Sequence, residues 1–343
     1  MTSTPLTATH VCTGADCTHE SHREPRWAYS RGLHDLGNGA WAWLQPDGSW
    51  GWSNAGLITD AGQSLLVDTL FDVHLTGEML AAMQDAAGVA AHDIGVLVNT
   101  HANGDHTFGN SLVTGARVIA SAAALHQMEE ESPQQLAGMM AATGKMGEVG
   151  QYLARIFAPF DFAACTIGLP TETFAGKLTL NVGAKTVDLY EVGPAHTAGD
   201  VIVHAKDDGV IYSGDILFID GTPIMWAGPV ENWLKACDLI LDLDAPVIVP
   251  GHGPITDSRG VRRVKDYLSY IDREARARFD AGMGARDAAF DIALGDFAAW
   301  GDAERIAVNV LTLYRGYRGG AADPTEPAPF VLMTELDKRG AKR

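Results

Sequence analysis

The chain has 343 residues, 46% of them hydrophobic and 20% charged, a balance typical of a globular protein with ample apolar material for a core. No uninterrupted apolar stretch approaches the roughly 20 residues that a bilayer-spanning helix needs. The net charge of −18 and isoelectric point near 4.9 argue against nucleic-acid and anionic-membrane partners, because phosphate binding needs a basic face.

Residues 1–25 are polar and pattern-poor and read as an N-terminal arm. They carry neither a basic start nor an apolar segment, so the expected location is the cytoplasm. Within the arm, Cys12, Cys17, His19 and His22 offer the ligands of a small zinc clasp. Their spacing matches no common finger, and an arm with two free thiols is the plainer reading. Four cysteines in so long a chain make no disulfide framework, and Cys165 and Cys237 read as packed thiols.

From Trp27 the pattern is strand-like, and the Asp47-Gly48 pair signals a hairpin turn. A helix is expected at HLTGEMLAAMQDAAG (74–88), a buried strand at IGVLVNT (94–100) and a further strand at ARVIAS (116–121). Residues 121–165 read as a helical insertion containing Met128, Met139, Met140, Met146, Phe157, Phe160 and Phe162; it is either core or a lid over an apolar pocket. Strands return at KLTLNVGAKTVDLYEVG, DVIVHAKDDGVIYSGD and PVIVPGHG. From 257 to 343 the pattern is helical, with Val264, Leu268, Ile271 and Ala275 on one face behind an Asp257 or Ser258 cap. These elements suggest layers of helix, sheet, sheet and helix, with the main domain spanning 26–256.

Polar motifs interrupt the apolar strands at intervals. NTHANGDHTFGN contributes His101, Asn103, Asp105 and His106; VGPAHTAGD contributes His196; YSGDILF contributes Asp215; VPGHGPI contributes His252. Each lies where a strand gives way to a glycine-containing loop, the place where a rigid sheet positions a mobile turn. One such histidine would be unremarkable, but the joint pattern is that of a metal site. His34, His74, His92, His126 and His204 have no companion motif and read as structural.

The order and spacing of these motifs, with LLVDT ending at Asp68, resembles the metallo-β-lactamase-fold superfamily over residues 33–256. That resemblance implies an α/β, four-layer αβ/βα sandwich binding one or two divalent metals: zinc first, with iron or manganese as alternatives. The family motif H-x-H-x-D-H reads H-A-N-G-D-H here, so Asn103 stands where a histidine is expected. One implied site comprises Asp105, His106 and His252. The other comprises His101, Asn103 and His196, and Asp215 bridges the two. Asn103 is then either a weak oxygen ligand, better suited to harder ions than to zinc, or a turn residue bonding its own loop. Asp68 is either an acceptor for a ligand histidine or a strand-end cap. In this fold the hairpin loop can border the site, which makes Trp41, Trp43, Trp50 and Trp52 of interest, although packing suits at least two of them.

A bridging aspartate is similar to the glyoxalase II and lactonase branches, and also to the flavodiiron branch. No basic cluster for glutathione is evident, and Phe218 stands near where acyl-homoserine lactonases tend to have a tyrosine. The expected function is hydrolysis of an ester, thioester, lactone or amide in a small, moderately apolar molecule. A metal can make hydroxide available at neutral pH, and Asp105 is the candidate catalytic residue to orient it. The alternatives are a carboxylate-bridged diiron oxidoreductase or oxygenase, and a non-catalytic metal- or ligand-binding relative. The oligomeric state is not legible in the sequence.

Overall fold

The computed structural model describes residues 27–340, and Cys12, Cys17, His19 and His22 lie outside them. Among the described residues, no helix is long and apolar enough to cross a membrane. The first sheet holds β1 (Gly32–Gly37), β2 (Ala40–Leu44), β3 (Ala55–Asp60), β4 (Gln63–Val67), β5 (Val96–Val98), β6 (Arg117–Ser121) and β7 (Glu172–Phe174), in that spatial order. Its first four strands form an antiparallel meander, whereas β4 to β7 run parallel. The second sheet holds β8 (Lys177–Val182), β9 (Lys185–Glu191), β10 (Val201–Ala205), β11 (Val210–Tyr212) and β12 (Val247–Val249). It is antiparallel except where β11 and β12 pair in parallel.

Both sets of alternating side chains in the central strands are apolar because both faces of each sheet are covered. Ile58, Leu65, Val67 and Val98 meet Val187, Leu189, Val201 and Val203 in one cluster between the sheets. Their neighbours Leu57, Leu66 and Leu97 belong to the larger cluster formed with the helices. Gly56 lets the sheets approach closely: a Cβ there would collide with the ring of Tyr212 from the opposite sheet.

Among the described residues, ten α-helices flank this sandwich: α1 (Val73–Ala87), α2 (Gly104–Thr107), α3 (Ala122–Glu130), α4 (Pro133–Ala142), α5 (Gly147–Phe157), α6 (Val230–Asp242), α7 (Ser258–Asp280), α8 (Ala285–Asp291), α9 (Ile306–Tyr317) and α10 (Pro329–Gly340). Asp72 caps α1 by accepting from Leu75 N, and Gly88 ends it in the left-handed conformation. Asp257 caps α7, whose buried face runs through Val261, Val264, Leu268, Ile271 and Ala275. In α9 every residue from Ile306 to Tyr314 is buried, so it is enclosed on all sides among the C-terminal helices, and its polar Asn309 and Thr312 are hydrogen-bonded.

The structure differs from the sequence expectation at three places. Asp47-Gly48 does not form a two-residue hairpin turn; it lies in the long loop between β2 and β3, where Gly48 N bonds Gln45 O. The tight turn is at Asn38 and Gly39, both with positive φ, joining β1 to β2. Helix α6 and the short edge strand β7 are additional elements, unmarked in the sequence by a cap signal or a long apolar run.

Candidate metal centre

Five loops converge at one end of the sandwich. Asp68 follows β4, the NTHANGDHTFGN loop follows β5, His196 lies between β9 and β10, Asp215 follows β11 and His252 follows β12. The loop after β5 is braced by the asparagines at its ends. Asn110 Nδ2 donates to Asn99 Oδ1 at 2.8 Å, and Asn99 Nδ2 donates back to Asn110 Oδ1 at 3.2 Å and to the His106 carbonyl at 3.1 Å. Gly251 is required beside Asp215, because a Cβ there would strike the Asp215 carboxylate.

His101, His106, His196, Asp215 and His252 are all buried, whereas Asp105 and Asn103 are partly exposed. His106 Nε2 lies 3.1 Å from Asp215 Oδ1, and His196 Nε2 lies 3.3 Å from Asp215 Oδ2. His252 Nε2 lies 3.2 Å from Asp105 Oδ2 and 3.5 Å from Asp215 Oδ2; His101 Nε2 is 3.8 Å from Asp215 Oδ2. Two groups of three have ligand atoms close enough for a single ion: His101, His106 and Asp215, and Asp105, His106 and His252.

The outer nitrogens fix the tautomers. His196 Nδ1 donates to the Ile224 carbonyl at 2.6 Å, and His252 Nδ1 donates to the Gly48 carbonyl at 3.0 Å. His106 Nδ1 donates to Asp68 Oδ2 at 2.9 Å. The Thr100 hydroxyl gives its proton to the same carboxylate oxygen at 2.7 Å and so accepts from His101 Nδ1 at 3.0 Å. In their neutral forms all four imidazoles therefore turn an Nε2 lone pair inward. His101 Nε2, His106 Nε2 and Asp215 Oδ1 are buried with no hydrogen-bond partner. Convergent, unpartnered nitrogen and carboxylate donors fit a divalent metal such as zinc.

Asn103 Oδ1 lies 2.8 Å from His196 Nε2. With His196 Nδ1 already donating, that contact sets an amide oxygen against a nitrogen lone pair, an arrangement a shared cation would stabilise. The electrostatics follow the same geometry. Burial would lower the His106 imidazole, but Asp215, Asp105 and Asp68 outweigh it and hold it well above the usual histidine range. Burial holds His101 well below that range, with the neighbouring His106 charge adding to the effect. Burial would raise Asp215, but His252, His106, His101 and His196 hold it well below the usual carboxylate range.

A cavity of about 340 Å³ opens above the cluster, reaching Asn103, Asp105, His196, Asp215 and His252 at its floor. Its walls include Trp50, Phe71, Phe108, Phe157 and Phe330. From the 121–165 segment, Leu136, Met139 and Phe157 line the cavity, while Met128 packs with Ala102, Ala120 and Ala124 elsewhere. Of the four early tryptophans only Trp50 lines it. Trp43 is buried in the core, Trp41 packs against it, and Trp52 lies against Phe160. Sequence reading missed Trp226, Arg305 and Phe330, which carry no local motif: Trp226 reaches the cavity from the loop before α6, where its amide donates to the His196 carbonyl, and Arg305 and Phe330 through the packing of the C-terminal helices. His34, His74, His92, His126 and His204 lie apart from it, and Cys165 and Cys237 are buried free thiols.

A family model described as the metallo-beta-lactamase superfamily matches residues 48–252. A beta-lactamase-like protein 2 homolog from Caenorhabditis elegans is 22% identical over 224 residues, covering 65% of this chain and 63% of its own length. The acyl-coenzyme A thioesterase MBLAC2 of Bos taurus is 24% identical over 107 residues, 29% of this chain and 38% of its own length. The chain thus spans less than two thirds of either relative. Among solved structures, the inverting sec-alkylsulfatase Pisa1 from Pseudomonas sp. has a TM-score of 0.64 at 15% identity, covering 87% of this chain and 52% of that one. A metallo-beta-lactamase from Pontibacter korlensis has a TM-score of 0.52 at 18% identity, covering 69% of this chain and 98% of that one. At these identities the two structures establish the fold.

Proposed function

Since the chain belongs to the metallo-beta-lactamase superfamily, we propose that it is a metal-dependent hydrolase of an ester, thioester, lactone or amide bond in a small, moderately apolar molecule. The observation that carries this reading is the set of four inward-facing Nε2 atoms around Asp215, at the floor of a cavity walled mainly by aromatic and aliphatic side chains, with Gln127, Glu131, Thr197 and Arg305 among them. A divalent metal held by Asp105, His106, His252 and Asp215, with His101 and His196 beside them, would acidify bound water and polarise the scissile carbonyl.

The chain's own groups do the rest. Asp105 is the least buried of the site carboxylates, with a side chain 14% exposed, and it lines the cavity. That exposure supports a role for it in orienting an attacking water. Asp215, enclosed by four imidazoles, keeps its negative charge and stays available as a bridging ligand. Phe71, Phe108 and Phe157 keep bulk water from the apolar part of a substrate. The thioesterase named among the relatives supports including thioesters in the substrate class.

The test is elemental analysis of protein purified without added metal, beside turnover of a chain-length series of p-nitrophenyl esters and the matching thioesters. Bound zinc with turnover of some member is the expected result. A fully metal-loaded protein that turns over none of them, nor a lactone or amide series, would overturn the hydrolase reading.

A further inference from the structure

Phe218 follows the bridging aspartate by three positions and is fully buried, yet it lines the cavity. Its ring is stacked nearly parallel on the imidazole of His252, with centroids 5.1 Å apart and planes 6° apart. The two residues are also joined by a parallel backbone bridge, and Ile219 N donates to the His252 carbonyl at 3.0 Å. Phe218 approaches His196 as well, at 5.6 Å.

The ring is itself held from the C-terminal half. The guanidinium carbon of Arg305 lies 5.4 Å from the Phe218 ring centre and 4.6 Å from that of Trp50. Arg305 is buried, at 2% exposure, and is anchored by Asp302 at 3.0 Å and the Thr222 carbonyl at 3.2 Å. A buried, paired guanidinium between two aromatic rings is a rigid support, because the planar fork can stack and hydrogen-bond at once.

We propose that Phe218 is a positioning residue for His252, and that Arg305 acts through it by fixing the plane of its ring. The proposal rests on the metal reading above. A ligand imidazole has two ways to lose its aim: tilting about its Nδ1–H bond and rotating about χ2. The Gly48 carbonyl pins Nδ1 and so opposes the second, but a hydrogen bond leaves rotation about its own axis free; the stacked Phe218 ring opposes that out-of-plane swing. Holding the ligand in place before the ion arrives removes an ordering cost from binding, as outer supports of metal ligands generally do.

The test is zinc affinity of the metal-free chain by competition with a fluorescent chelator, with no substrate present. Phe218→Leu keeps the apolar volume but loses the flat face, and should weaken zinc binding about 10-fold. Arg305→Met should weaken it in the same direction, and the double variant should be no weaker than Phe218→Leu alone. Phe330→Leu changes another cavity-lining ring, one with no ring contact to a site histidine, and should leave zinc affinity unchanged. Wild-type affinity in a folded Phe218→Leu would overturn the proposal. Additive losses in the double variant would overturn the part assigned to Arg305. If Arg305→Met fails to fold, Arg305→Lys, which keeps the charge without the planar fork, takes its place in the cycle. If the wild-type chain takes up no divalent metal, the metal reading fails first and the proposal with it.

Discussion

Asp68 and His106, 38 positions apart in the chain, are joined by a 2.9 Å hydrogen bond from imidazole Nδ1 to carboxylate Oδ2. Asp68 also accepts from the Thr100 amide and hydroxyl, each at 2.7 Å, so this one buried carboxylate orients the imidazole and the loop that carries it. Its φ of +62 shows the chain turning sharply after β4 to present it. Asp68→Asn supplies one acceptor oxygen where three donors converge. It should weaken metal binding by about 10–100-fold, read by chelator competition; unchanged affinity would make Asp68 a strand-end cap only.

Asp215 faces all four histidines, and the pull of those imidazoles keeps it ionised. Asp215→Ala should abolish turnover and reduce bound metal together, because one carboxylate serves both. The fold should remain recognisable by circular dichroism. Full activity in this variant would rule out a bridging role.

Asn103 supplies an amide oxygen where the family motif has an imidazole, and zinc favours nitrogen and sulfur donors. The half of the site built on His101 and His196 should therefore bind zinc more weakly than the half built on Asp105, His106 and His252. Asn103→His should raise zinc content towards two per chain, measured by titration of the metal-free protein. Two equally tight sites in the wild type, unchanged by the substitution, would show that Asn103 does not weaken that position.

Met139 lines the cavity without being fully buried, whereas Phe157 is both wall and core. Met139→Gln should raise KM for long-chain esters more than for short ones at little cost in stability. Phe157→Ser should lower stability as well, by about 3 kcal/mol or more, as loss of a buried aromatic does. An equal rise in KM across the chain-length series would remove Met139 from the substrate wall.

Asp200 lies behind the His196 loop, accepting from the amide and hydroxyl of Thr197 and the amide of Ala195. Burial nevertheless pushes its carboxyl up to about 7. The folded chain then holds a proton that the unfolded chain releases near pH 4, so this group's contribution to stability is full below that pH. It declines as the pH rises to about 7 and is flat above. Asp200→Asn removes the titration, and denaturant unfolding across this window should show a flatter slope than the wild type. Parallel profiles would place the Asp200 titration outside the window.

The residues that converge at the candidate metal centre were legible in the sequence because they lie in glycine-containing segments that follow apolar strands. Hydrophobic alternation, loop glycines and metal-binding side chains leave local marks of this kind. So do the Asp72 and Asp257 caps and the apolar face of α7. What the sequence left undecided depends on partners distant in the chain. Asn103 is a plain turn residue in its own loop until His196, 93 positions away, is brought within 2.8 Å. The aspartate-glycine pair at 47–48 has the composition of a tight turn, yet the Gly48 carbonyl is drawn to His252, 204 positions away. Arg305 and Phe330 sit in helical text with no motif, and only the packing of α9 and α10 against the core carries them to the cavity. Ligand identity is a property of residue type and local spacing, and one chain can display both. Ligand orientation, and the walls that choose a substrate, arise from contacts between segments that meet only when the two sheets and their helices close.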